Sequence, residues 1–72
     1  MSYKIEATIK GEKHVLNKVG PPTYLEKEHE MLQKILLKGY ISQNFRDIMT
    51  SLDDLQEVKY FKGNKILIQF KY

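Results

Sequence analysis

Cysteine and tryptophan are both absent from the 72 residues, and arginine occurs once, at Arg46. Without cysteine there is no disulfide and no thiolate metal site to staple the fold, so the usual framework of small secreted domains is excluded and a reducing, cytoplasmic setting is expected. No apolar run approaches the length that crosses a bilayer, and the opening residues alternate polar and apolar with no continuous hydrophobic segment. Neither a signal peptide nor a membrane-bound chain is therefore expected. The scarcity of arginine argues against sequence-specific DNA binding, because base-edge readout leans on that residue.

Enzymatic signatures are missing too. The two histidines are His14, beside a candidate hairpin turn, and His29, between Glu28 and Glu30. Neither belongs to a triad, an H-E-x-x-H helix or any pairing of a nucleophile with an oriented base. Glu26, Glu28 and Glu30 fall in the first turns of a predicted helix, where the macrodipole favours acids. Asp53-Asp54 lacks oxygen partners at calcium-loop spacing. Gly11, Gly20, Gly39 and Gly63 each sit where a turn or helix end wants one, and none forms a phosphate loop. No catalytic residue, cofactor or metal is expected.

What is present is an ordinary globular composition, 42% hydrophobic and 29% charged, well clear of the disordered regime. The length suits one domain covering residues 1–72, since a chain this short cannot divide into two cores. A core of that size gains few kcal/mol, and with neither disulfide nor metal the remaining common support is a second copy, so a homodimer is expected.

Tyr3, Ile5, Ala7 and Ile9 alternate with Lys4, Glu6, Thr8 and Lys10, the period of a strand with one buried face. Gly11 lies in a polar stretch before a second strand, and a three-residue loop would set Val15 opposite Ile9 and Val19 opposite Ile5. Gly20-Pro21-Pro22 ends that strand. Thr23-Tyr24-Leu25-Glu26 has the form of a capping box and predicts a helix over 24–38, closed by Gly39. Ile41, Phe45, Ile48, Met49 and Leu52 predict a second helix over 42–52, capped by Ser42. The remainder reads as a hairpin turning at Lys62-Gly63-Asn64, with Val58 facing Ile68 and Tyr60 facing Ile66.

The fold class is thus α+β in the order ββααββ, a four-stranded, mainly antiparallel sheet with two helices packed on one face. Strand four, apolar along Ile66-Leu67-Ile68, is expected beside strand one, away from an aggregation-prone edge. The expected core is Ile5, Ile9, Val15, Leu25, Leu32, Ile35, Leu36, Phe45, Ile48, Met49, Leu52, Val58, Ile66, Ile68 and Phe70. A winged helix fails for want of a third helix and because Asp47, Asp53 and Asp54 would face phosphates badly.

Charge is the most informative feature. Residues 1–20 carry four lysines against two glutamates, residues 58–72 carry four lysines and no acid, and residues 41–57 carry one arginine against four acids. A basic strand side and an acidic helical side follow. Lys4, Lys10, Lys59, Lys65 and Lys71 alternate onto the predicted outer face with Phe61 as a stacking aromatic, and these are the candidate partner-binding residues. The leading expectation is a small non-catalytic regulator or inhibitor, of the kind phages and mobile elements encode, that occupies a surface of a larger cellular protein. The alternative is a lysine-rich nucleic-acid-binding module without sequence preference.

Overall fold

The period-two alternation forms β1, Tyr3–Ile9, in a computed structural model that describes residues 2–72 except the Lys18 side chain. β2, Glu12–Val19, returns beside it. The turn between them is Lys10-Gly11, with φ of 51° and 81°, the left-handed pair that matches the twist of flanking strands. This corrects the expected three-residue loop: Ile9 pairs with Glu12, Ala7 with His14 and Ile5 with Leu16. Lys18 is then skipped, so that Val19 meets Tyr3. Leu16 consequently packs against the core while Val15 is 43% exposed on the opposite face.

β3, Leu55–Lys62, and β4, Lys65–Lys71, form the second hairpin. Its turn is also two residues, because Lys62 pairs with Lys65, and Gly63 supplies the required positive φ of 60°. Such a turn alone would set Lys59 opposite Ile68 and spoil the apolar face. A bulge at Leu67 prevents this by shifting the pairing to Tyr60 with Ile68 and Val58 with Phe70. Ile66 therefore faces Phe61, not Tyr60 as expected.

The sheet order is β2-β1-β3-β4, antiparallel throughout. Strand four is thus an edge, correcting its expected place beside strand one. β3 takes that place because Tyr60 and Val58 pair with Ile5 and Ala7, extending one apolar face across the centre of the sheet. Lys65 and Lys71 at the ends of β4 blunt the edge.

Helix boundaries differ as well. α1 is short, Thr23–Glu26, and α2 runs Glu30–Asn44, straight through Gly39. The predicted helices over 24–38 and 42–52 are therefore replaced by a four-residue turn and one fifteen-residue helix. Pro22 is the N-cap of α1 and no side chain caps it, so the Thr23 capping box does not form. The chain breaks at Lys27–His29 because Gln33 Nε2 donates to the Leu25 carbonyl at 2.8 Å and the Glu28 carbonyl at 3.0 Å, satisfying groups at the end of α1. His29 then caps α2, its Nδ1 accepting from Leu32 N. Ser42 is inside α2, its hydroxyl donating to the Gly39 carbonyl.

Beyond α2 a capping box does form, at Ser51, ahead of a 3-10 turn at Leu52–Asp54. Ser51 Oγ accepts from Asp53 N at 3.2 Å, and the Asp54 carboxylate accepts from Ser51 N at 3.1 Å and Thr50 N at 2.9 Å. Desolvation works to raise the Asp54 pKa, but these hydrogen bonds, the Thr50 hydroxyl and the Lys10 charge outweigh it and hold the carboxyl below its ordinary value.

Helices and sheet share one apolar cluster: Ile5, Ala7 and Ile9 from β1, Leu55, Val58 and Tyr60 from β3, Ile68 and Phe70 from β4, with Leu25, Leu37, Ile41 and Met49 above them. Of the residues expected in the core, Ile35, Leu36, Leu52 and Ile66 join Val15 on the surface. Leu32, Phe45 and Ile48 are half-buried.

Candidate binding surfaces

The sheet has one face under the helices and one face open. Strand parity puts Lys4, Glu6 and Thr8 of β1 on the open side, flanked by Asn17, Val15 and Lys13 of β2 and by Phe61, Lys59 and Glu57 of β3. Ile66, Gln69 and Lys71 of β4 complete it. At its centre Glu6 lies 3.4 Å from Lys4 Nζ and 3.5 Å from Lys13 Nζ, with Lys59 as its cross-strand neighbour. Lys4 Nζ also stands 5.0 Å from the Phe61 ring centroid, a cation–π contact. Glu57 accepts from Gln69 Nε2 at 3.2 Å.

Lys4, Lys59, Phe61 and Lys71 therefore share the open face. Lys10 and Lys65 lie elsewhere: Lys10 is in the first turn, 3.8 Å from the Asp54 carboxylate, and Lys65 adjoins the second turn, paired with Lys62. The bulge at Leu67 is what separates Lys65 from Lys59 and Lys71, since it reverses the parity of β4 beyond it. Glu6 was expected on this outer face by its alternation with Tyr3 and Ile5, but neither Glu6 nor Glu57 is among the expected partner-binding residues, and both add carboxylates to it.

His14 is on the covered side, its ring 5.4 Å from that of Phe45 and tilted against it. Its Nε2 is enclosed without a hydrogen-bond partner, 3.9 Å from the Glu12 carboxylate. Two tyrosine hydroxyls bridge distant parts of the chain, Tyr60 of β3 to the segment after β2 and Tyr72 to α2. The Tyr60 hydroxyl donates to the Gly20 carbonyl, and the Tyr72 hydroxyl donates to the Lys34 carbonyl of α2 at 2.6 Å. Burial pushes both phenols up to about 12, with Tyr24, Tyr40 and Tyr3 adding to the effect at Tyr60. Lys34 and Lys38 each stand 5.2 Å from the Tyr72 ring centroid.

The side of α2 that faces away from the sheet is the second notable surface. Met31 is 70% exposed and Ile35 59%, and with Leu36 they leave a run of large apolar side chains in solvent. A shallow depression of about 440 Å³ there is lined by Tyr24, Ile35, Leu36, Gly39, Tyr40 and Gln43. Ile35 and Leu36 were expected in the core by their spacing, and the signal that they belong to a second, exposed side is the lack of any charge among these lining residues.

Another concavity, of about 500 Å³, lies between Ser2, Tyr3, Lys4, Asn17, Val19, Gly63 and Asn64, a lining with neither carboxylate nor imidazole. Among the described residues no three acidic or histidine side chains gather in a metal-binding group, and no helix is long and apolar enough to cross a membrane. The chain matches no protein-family model, no curated protein and no solved structure.

Proposed function

We propose that this chain is a small, non-catalytic protein-binding module of the cytoplasm that regulates or inhibits a larger cellular protein by covering part of its surface with the open sheet face. The observation that carries this reading is Glu6, held between Lys4 and Lys13 at the centre of that face. A groove for nucleic acid tracks phosphates with uninterrupted positive charge, and an acid at its middle repels them. A mosaic of fixed charges of both signs instead supplies register against a complementary protein surface. Phe61, Val15 and Ile66 offer apolar contacts within the mosaic, as aromatic and aliphatic anchors do at interfaces. Affinity capture from nuclease-treated lysate tests the reading: a stoichiometric protein partner is expected, and Phe61→Ala with Lys59→Glu should release it.

A nucleic-acid-binding module without sequence preference is the second reading, favoured by Phe61 with Lys4 Nζ beside its ring. Purified chain is expected to show no affinity for single- or double-stranded oligonucleotides at low salt, where surface electrostatics is strongest. Tight, salt-sensitive binding abolished by Lys59→Glu would replace the first reading with the second.

A further inference from the structure

We infer that the outer edge of β4, with the flank of α2 beside it, takes an extended acidic segment of a partner protein as a fifth strand. The inference goes beyond the function proposed for the open sheet face and needs neither Glu6, Lys59 nor Phe61.

β4 pairs with β3 alone, so alternate residues along it point their N–H and C=O groups out of the sheet. Among the described residues, no backbone–backbone hydrogen bond outside the ladder engages residues 65–71. What satisfies such a row is another extended chain, whose main-chain bonds supply affinity while side-chain pockets supply specificity. The other edge, β2, is interrupted by its bulge at Lys18 and leads into Gly20-Pro21-Pro22, which a further strand pairs with poorly.

α2 gives the β4 edge a wall. The Tyr72 hydroxyl donates to the Lys34 carbonyl, and two adjoining depressions lie between helix and strand. One, of about 350 Å³, is lined by Glu30, Gln33, Leu67, Ile68, Gln69 and Phe70. The other, of about 250 Å³, is lined by Glu30, Met31, Lys34 and Phe70. Met31 is 70% exposed there, a flexible apolar contact for a side chain of the incoming strand.

Charge specifies the segment. Met31, Lys34 and Lys38 recur at helical spacing along one flank of α2. The two ammonium groups each stand 5.2 Å from the Tyr72 ring centroid, and among the described residues neither forms an ion pair. Two cations gathered over one ring repel each other, and a carboxylate on the added strand neutralises both. Glu30 lies one turn nearer the start of α2, so that carboxylate belongs at the Tyr72 end of the groove. A second copy of this chain fits badly, because an antiparallel β4 pair centred on Ile68 sets Lys65 against Lys71 on both sides of the axis.

Selection from a random linear-peptide library displayed on phage, followed by fluorescence anisotropy with the leading peptide made synthetically, tests this. Enriched peptides are expected to alternate apolar and acidic residues. Lys34→Glu with Lys38→Glu should weaken binding by more than about tenfold. Arg46→Glu, next to the Phe45 ring that packs against His14 of β2, should change it by less than about twofold. Methylating alternate backbone nitrogens of the peptide leaves the protein untouched; it should abolish binding in one phase and spare it in the other, since a strand turns only every second residue toward an edge. No enrichment, enriched peptides without acids, methylation tolerated in both phases, or affinity unmoved by the double reversal would each overturn the inference. None of these outcomes bears on the open-face reading, which is tested through Phe61 and Lys59.

Discussion

Leu36 and Leu37 are chemically identical neighbours on α2, yet Leu36 is 39% exposed and Leu37 is fully enclosed. The same division separates Ile35 from Ile41. The inner side, Leu37 and Ile41, rests on the sheet and stabilises the fold of a single chain. The outer side, Met31, Ile35 and Leu36, stays in solvent and contributes little to the fold of a single chain. Which residue does which is decided by the sheet, not by side-chain type.

Truncation gives the sharpest form of that contrast. Leu37→Ala leaves a cavity under α2 and is expected to cost about 2–5 kcal/mol. Leu36→Ala should cost under about 1 kcal/mol in dilute solution, where surface changes have small effects. Urea denaturation at low protein concentration measures both. Equal losses would mean that α2 presents its other side to the sheet.

The glycines extend the comparison to backbone conformation. Gly63 turns the second hairpin at φ 60°, so Gly63→Ala should destabilise by about 1–2 kcal/mol. Gly39 is in a helix with open space around it, and Gly39→Ala should stabilise the isolated chain by about 0.5–1 kcal/mol. Opposite signs in thermal melts of dilute samples are the expected result. A loss at both positions would show that Gly39 is needed inside a single chain.

Much of the sheet was legible because its signal is local. The alternation through Tyr3, Ile5, Ala7 and Ile9 requires only that one face be buried, and the glycines at 11 and 63 mark both turns. The registers were not legible, because each depends on a bulge, at Lys18 and at Leu67, that restores the apolar pairing after a two-residue turn. Gly39 has the look of a helix stop in the sequence, but α2 runs through it to Asn44, and the Ser42 hydroxyl donates to its carbonyl within the helix. The real break before α2 depends on Gln33 reaching back to Leu25 and Glu28, a contact that spacing does not reveal. On the open face the lysines were visible one by one, while the glutamate that neutralises them became significant only once β1 was placed between β2 and β3.

Helix starts provide a smaller test. Ser51→Ala removes a cap whose oxygen accepts from Asp53 N and should cost about 1 kcal/mol. Thr23→Ala should change the denaturation midpoint negligibly, because no side chain caps α1. A loss at Thr23 matching that at Ser51 would restore the capping box that its sequence suggests.

The smallest expected effect concerns the phenols of Tyr60 and Tyr72. Tyr60 and Tyr72 keep their protons up to about 12, against 10.0 for an unperturbed tyrosine. Between those values the unfolded chain has released protons that the folded chain still binds, so raising the pH favours unfolding. Their contribution is fully present below the unfolded pKa and is lost progressively as pH rises from about 10 to about 12. Tyr60 is enclosed in the core while Tyr72 is half-buried and meets solvent, so the share from Tyr72 should be modest. Ultraviolet phenolate absorbance should show Tyr60 and Tyr72 titrating late, with Tyr24 also raised by burial. Tyr60→Phe with Tyr72→Phe identifies the source of the slope: the double variant should lack the part of the alkaline loss that these two phenols cause. An identical slope in wild type and double variant would mean that these two hydroxyls are not held protonated by the fold.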